Sequence, residues 1–220
     1  MFGPLLFRLL IALTVAAIAG GPAVWRHPAF LTFLVLEAAW SVSEGFFSRG
    51  GRPTVVIRAS INPRQVPFVM AGKLYLLLRM VYHAILVAYF ARIGSIAASP
   101  RTPVAVAGIS VMVMAILLRT WSMKTLGERF RGYEVRAEAQ GLETKGPYAI
   151  VRHPGYLAFV LFDIGMPLLL NGVRLLPLVV VPLAVMFRRL SAEEQLLLEA
   201  YPADYPRYVT RTRRLVPLIY

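Results

Sequence analysis

Apolar residues fall in long blocks separated by short polar connections. Pro4–Val24 carries a single charge, Arg8, and Arg101–Trp121 is interrupted only by Arg101 and Arg119. Between them lie two further blocks, Pro28–Phe47 and Pro67–Ile93. Roughly 20 apolar residues rising about 1.5 Å each cross a bilayer core, so each block predicts a transmembrane helix. A polar stretch follows, Ser122–Lys145, and then two shorter apolar segments, Gly155–Leu170 and Val173–Phe187. Asn171-Gly172 marks a turn between these two. Their shortness predicts a tight helical hairpin, tilted or partly re-entrant. The tail, Arg188–Tyr220, is polar and aromatic.

The expected fold is therefore an all-α polytopic membrane protein with about six membrane segments, a C-terminal helical hairpin and a polar cytoplasmic region where a site would be built. Two parts are expected: N-terminal transmembrane helices over 1–100, and over 101–220 the fourth span with the polar linker, the hairpin and the tail. The first block lacks a basic segment before its apolar core and reads as a retained span rather than a cleaved signal peptide.

Composition agrees. Hydrophobic residues make up 58% of the chain, charged residues only 16%, and mean hydropathy is +0.63. The net charge of +13 raises the question of nucleic acid. The basic residues instead flank the apolar blocks, as headgroup and cytoplasmic anchors do, so no nucleic-acid partner is expected. There is no cysteine, which excludes disulfides, thiolate metal sites and a cysteine nucleophile. His27, His83 and His153 are far apart and show no ligand spacing, so no metal is expected.

Orientation follows from where the cations cluster. Arg49, Arg52, Arg58 and Arg64 lie between blocks two and three; Lys124 to Arg152 follow block four; Arg207, Arg211, Arg213 and Arg214 lie in the tail. This predicts cytoplasmic termini in a cytoplasmic membrane, with the linker, the hairpin start and the tail meeting on the cytoplasmic face. Within the blocks stand Glu37, Glu44, Lys73, Arg79 and His83. Intramembrane charge points to function or to a partner. Glu44 and Lys73 are near helix ends and read as snorkelling. Glu37 and Arg79 are deeper and read as a pair across helices. His83 reads as an interhelical hydrogen-bonding residue.

Three polar segments carry candidate chemistry: Leu118–Gly127, Gly146–Tyr156 (GPYAIVRHPGY) and Arg188–Tyr208. In the second, Pro154 suits the first turn of a helix, which puts Val151, Arg152 and His153 beside free backbone donors. A ligand carboxylate would fit there, although a headgroup anchor would place Arg152 and His153 similarly. In the third, Arg189 and Glu193 are one helical turn apart. They are either an exposed ion pair or a split pair, the carboxylate for a cationic ligand and the guanidinium for an anionic one. Arg119 supplies a second guanidinium at a helix end, where snorkelling is the alternative.

Taken together, GPYxxVRHPxY, a hairpin, R-L-x-x-E-E and an aromatic–x3–Tyr–x2–Tyr tail resemble the isoprenylcysteine carboxyl methyltransferase family, to which membrane phospholipid methyltransferases are related. Leu118-Arg-Thr-Trp-Ser-Met-Lys-Thr-Leu-Gly-Glu-Arg-Phe130 also fits. The resemblance covers about Arg119 to Pro217 and leaves the first three blocks unexplained. It implies S-adenosyl-L-methionine as methyl donor and a lipophilic or lipidated acceptor drawn from the membrane. It places the cofactor near Gln140, Gly141, Leu142, Glu143, Tyr148, His153, Pro154, Gly155, Tyr156 and Glu193. It places the acceptor near Arg189 and Arg119, with Tyr148 in the catalytic group. The chain departs from the family at Gln140, where the family often has His, and at Tyr201-Pro202, where it often has Phe-Gly.

The expected function is O-methylation of a carboxylate on an isoprenylcysteine-like acceptor. An ionised carboxylate needs no strong base, so alignment and water exclusion are the main tasks. A phospholipid amine, a lipidic phenol or pyrone, or a thiol is the alternative acceptor. An amine or phenol would need a base, for which Tyr148, Glu194 and His153 are candidates. A non-enzymatic transporter or scaffold is the other class, disfavoured by the lack of internal repeats.

Overall fold

The structure is a computed structural model that describes residues 23–47, 66–93, 102–127 and 141–216. Its helices are α1 (Pro28–Phe47), α2 (Val66–Arg92), α3 (Pro103–Leu126), α4 (Pro154–Leu169), α5 (Val180–Ala200) and α6 (Asp204–Arg211). Short 3-10 segments precede α4 at Gly146–Ala149 and α5 at Val173–Val179. Among the described residues there is no strand, only an isolated parallel bridge between Val151 and Arg213.

The helix limits follow local chemistry. The Thr102 side chain accepts the Ala105 N–H at 3.2 Å and Pro103 opens α3, an N-cap followed by a proline whose missing N–H costs nothing there. The same helix runs past the apolar block to Leu126 and stops at Gly127, whose φ of +55° disfavours a side chain. The expected short segment Val173–Phe187 is instead the start of a 28-residue helical run, Val173–Ala200. Arg, Glu, Gln and Leu after Phe187 are strong helix formers; they end the apolar window without ending the helix.

Among the described residues, four helical runs are long and apolar enough to cross a membrane: Pro28–Phe46, Val66–Arg92, Pro103–Leu126 and Val173–Ala200. The first expected block, Pro4–Val24, lies almost wholly outside the described residues. The chain turns back at Asn171, with φ +52°, and Gly172, whose N–H donates to Pro167 O at 2.7 Å. The tightest packing, however, is between α3 and α4, while α5 packs along α2. Glycines explain the first pairing. A Cβ on Gly108 would lie 2.7 Å from the Gly165 carbonyl oxygen, and one on Gly165 would lie 2.6 Å from Met112 Cγ. The backbones meet because neither carries a side chain there. Between α4 and α5, by contrast, sit Leu157, Val160, Leu183, Met186 and Leu190.

Burial has the polarity of a membrane protein. Large apolar residues such as Val35, Val42 and Leu117 face outward, more than 60% exposed, while Glu37, Arg79, His83 and Asp163 are buried. Lipid accepts the first group, and the second is held by internal partners. The protein is an integral membrane protein.

Those partners include an acid beyond the expected ones, Asp163. Arg79 pairs directly with Asp163, its Nε 2.7 and 2.9 Å from the two carboxylate oxygens, with Glu37 in the same cluster. His83 joins the cluster on both sides, with Nε2 2.9 Å from Asp163 and Nδ1 3.3 Å from Glu37. Tyr82 donates to the Asp163 carbonyl at 3.0 Å. Phe159, Phe162 and Trp40 ring the Arg79 guanidinium at 5.0, 5.7 and 5.8 Å. Helices α1, α2 and α4 are thus tied by one buried charge cluster. Its acidic centre, Asp163, is a lone acid in an apolar run, and that was the signal sequence reading passed over.

Candidate active site

The segment Gly146–Tyr156 is held from two sides. Gly146 has φ +57°, and a Cβ there would lie 2.9 Å from Thr125 Oγ1 and 3.2 Å from Trp121 Nε1, so the turn presses against the end of α3. Glycine meets both demands. On the other side the tail clasps it. The Arg152 N–H donates to Arg213 O at 2.7 Å, the His153 N–H to Arg214 O at 3.2 Å, and the Arg213 N–H to Ile150 O at 3.3 Å. Tyr208 closes the clasp by donating to Tyr148 O at 2.7 Å.

Glu194 is the electrostatic centre of this clasp. It accepts from Arg152 Nε at 2.9 Å, and Arg214 Nε and His153 Nε2 lie 3.0 and 3.2 Å from it. Arg152 also donates to Thr212 O at 2.7 Å. Arg152 is therefore an internal strut between α4, α5 and the tail, not a headgroup anchor. With two guanidiniums on it, Glu194 is a poor proton acceptor, which removes it as a candidate base.

His153 caps α4, and Pro154 occupies its first turn, as expected. His153 is buried, with Nδ1 3.8 Å from Glu193 and Nε2 against Glu194. Tyr156, one turn into α4, joins the two residues predicted to act as a split pair. Its hydroxyl donates to Glu193 Oε2 at 2.6 Å and accepts from Arg189 Nε at 2.6 Å. Arg189 and Glu193 thus share a face of α5, but a phenol stands between them. Phe68 of α2 stacks on the Arg189 guanidinium at 4.0 Å, which aims it and shields it from solvent.

Arg119 enters from α3. It lies 4.7 Å from the Phe159 ring centre, and a Cβ on Gly155 would come within 2.5 Å of its Nη1. Gly155 leaves the space that the guanidinium fills. Arg119 Nε also donates to Glu44 of α1. The reading of Glu44 as a snorkelling residue gives way to a side chain turned inward onto Arg119. Arg119, Tyr148, Tyr156, Arg189, His153 and Glu193 form one neighbourhood at the end of the bundle where the tail docks.

Tyr148 is half-buried, and burial pushes its phenol well above the ordinary tyrosine value, against a lowering by Arg119. It is a hydrogen-bond donor at neutral pH, not a base. Glu143 turns its carboxylate back onto its own loop, accepting the Thr144 and Lys145 N–H groups at 3.1 and 3.0 Å. Gly141, with φ +76°, and half-buried Leu142 open that loop. Gln140 lies outside the described residues. No group of three or more metal-ligating side chains occurs among the described residues.

With that geometry in hand, similarity to known proteins can be placed on it. The family described as isoprenylcysteine carboxyl methyltransferase matches this chain over residues 107–199. The resemblance stands. The matched stretch opens in α3, contains α4 and ends in α5, and so includes Arg119, Tyr148, Tyr156, Arg189 and Glu193. Protein-S-isoprenylcysteine O-methyltransferase B of Arabidopsis thaliana is 28% identical over 115 residues, 51% of this chain and 58% of that protein. The Saccharomyces cerevisiae protein-S-isoprenylcysteine O-methyltransferase is 31% identical over 117 residues, 52% of this chain and 49% of that protein. The chain therefore aligns with only about half the length of these curated relatives. The solved structure of the eukaryotic intramembrane Ras methyltransferase, an isoprenylcysteine carboxyl methyltransferase, superposes with a TM-score of 0.54 over 98% of this chain and 74% of that one. At 18% identity this likeness establishes the fold.

Proposed function

We propose that this protein is an integral-membrane S-adenosyl-L-methionine-dependent methyltransferase that O-methylates a carboxylate on an isoprenylcysteine-like lipophilic acceptor. The observation that carries the reading is the Arg189–Tyr156–Glu193 contact. A cation and an anion one turn apart are fixed by one phenol, beside a second arginine and at the end of an apolar bundle. In this reading residues 101–220 form the catalytic core and the helices before 100 support it.

Glu193, Tyr148, His153 and the Pro154-Gly155-Tyr156 turn would hold the cofactor, with Gln140–Glu143 as the loop above it. The fit rests on chemistry present in the chain. Glu193 is an acceptor for a cationic amine, and His153 stands at the N-terminal end of a helix. Bound there, the cofactor supplies a methyl group already activated on a sulfonium. The chain's own task is then to align and to dry. Arg189 presents a planar fork to a carboxylate. The Nε–Tyr156 bond turns that fork, and Phe68 keeps water from its face. Full neutralisation of the acceptor would weaken it as a nucleophile, so positioning is the appropriate grip. The acceptor arrives laterally between helices and the cofactor from the aqueous face, which the basic tail and linker assign to the cytoplasm.

Two measurements test this. Purified protein with labelled S-adenosylmethionine should transfer label to an S-farnesylated cysteine, giving a base-labile methyl ester identified by mass. Transfer only to lipid amines in a membrane extract would overturn the carboxylate reading. Single cysteines at Ala98 and Arg213 of this cysteine-free chain should label from opposite sides of the membrane. Labelling from the same side overturns the orientation.

A further inference from the structure

An open groove of about 480 Å³ lies on α5, lined by Phe187, Arg188, Ser191, Ala192, Gln195 and Arg214. Helical spacing turns this face away from the one that carries Arg189 and Glu193. Val180, Ala184, Arg188, Ser191 and Gln195 follow one another at successive turns, with Phe187 beside Arg188, so they form one stripe. The stripe changes character along its length. Val180 is 63% exposed and Phe187 37%, as apolar residues facing lipid are. From Arg188 onward the exposed members are polar. The groove sits at that crossing, where the headgroups of a bilayer begin.

The tail closes the groove. Arg214 Nη2 donates to Ser191 Oγ at 2.8 Å, and Arg214 Nε lies 3.0 Å from Glu194. Glu194 is shared with Arg152, so the guanidiniums here outnumber the carboxylate between them. No acidic side chain is among the residues that line the groove. Glu199, the next acid on the stripe, lies a turn beyond Gln195.

We propose that this groove seats one anionic phospholipid, its phosphodiester between Arg188 and the Arg214–Ser191 pair and its acyl chains along the apolar stripe from Phe187 back to Val180. Arginine matches a phosphate with a planar fork of donors, and the Ser191 hydroxyl and the Gln195 amide add to them. A zwitterionic choline headgroup would bring a quaternary ammonium against two guanidiniums. A glycerol headgroup brings hydroxyls, which an amide can meet. Free phosphate would share the arginines but leave the apolar stripe unused. An arginine that merely snorkels to the interface predicts something else: any exposed arginine on this side of the protein would serve equally well. Nothing in the proposal depends on the methyl-transfer reading.

Native mass spectrometry of the full-length protein in dodecyl maltoside tests it, with dioleoyl phosphatidylglycerol, dioleoyl phosphatidylcholine and inorganic phosphate as ligands. Wild type is expected to bind its first phosphatidylglycerol at least about fivefold more tightly than phosphatidylcholine. Arg188→Gln should bring the two lipids within about twofold, and Arg188→Lys, which keeps the charge but loses the fork, should fall between. The lysine variant also serves if the glutamine variant does not fold. Arg211→Gln, at an exposed position outside the groove, should leave the preference as in wild type. Excess inorganic phosphate should not displace the lipid. Absence of a preference in wild type overturns the proposal, as does an unchanged preference in both Arg188 variants. Equal loss in Arg188→Gln and Arg211→Gln would leave only general surface charge, and displacement by phosphate would make the groove a site for a free anion; either result overturns the lipid seat.

Discussion

Replacing Asp163 by Asn changes almost no volume and removes one charge from the middle of the bundle. In the native protein that carboxylate receives Arg79 Nε at 2.7 and 2.9 Å and His83 Nε2 at 2.9 Å, with no exposure to solvent. At an effective dielectric of about 20, unit charges about 4 Å apart interact by about 4 kcal/mol. Breaking a buried pair from one side costs about 3–5 kcal/mol, because the remaining charge is left without compensation. Glu37 remains nearby through His83, so the lower end of that range, about 3 kcal/mol, is expected for Asp163→Asn. That is a large share of the roughly 5–15 kcal/mol that holds a typical domain. Unfolding in mixed micelles by titrated dodecyl sulfate, followed by helix content, measures it. The double variant Arg79→Met/Asp163→Leu removes both charges and should recover most of the loss, since apolar replacement of a buried pair is often neutral or better. A loss below about 1 kcal/mol in Asp163→Asn, or a double variant no better than the worse single one, would refute the account of this cluster as a mutually dependent ion pair.

Further outcomes follow from the site and the helix contacts. Arg189→Lys keeps the charge but loses the fork and the bond to Tyr156, so steady-state kinetics should show turnover down at least about tenfold with cofactor affinity near wild type. Tyr156→Phe deletes the hydroxyl shared by Arg189 and Glu193; both cofactor affinity, by calorimetry, and acceptor turnover should fall by roughly tenfold, where Arg189→Lys affects only the second. Gly108→Ala places a methyl 2.7 Å from backbone atoms of α4, so a loss of about 1–3 kcal/mol is expected by the same unfolding assay.

Several features were legible in the order of residues because they depend on neighbours in sequence. Helix α1 coincides with its apolar block, α4 begins at Pro154, and the chain turns at Asn171-Gly172. Hydropathy, proline geometry and glycine freedom are local properties and need no fold to act. Arg189 and Glu193 on one face of α5 follow equally from helical spacing. The length of α5 was misjudged for a related reason: apolar windows sense where lipid ends, and helix propensity continues beyond it.

What only the tertiary structure decided is which charges meet. Arg79 donates to Asp163, 84 positions along the chain, and Arg119 donates to Glu44, 75 positions away. No spacing rule reaches that far. The choice is made by the close α3–α4 contact that Gly108 and Gly165 permit, and by where that contact carries α1 and α2. The tail's bond to the Gly146–Tyr156 segment is likewise invisible in sequence, because backbone pairing between Arg152 and Arg213 depends on position rather than on side-chain type. In a low-dielectric interior each such pairing has a large energetic consequence, so helix packing determines whether a buried arginine Nε meets a carboxylate, as in Arg79, or a phenol, as in Arg189.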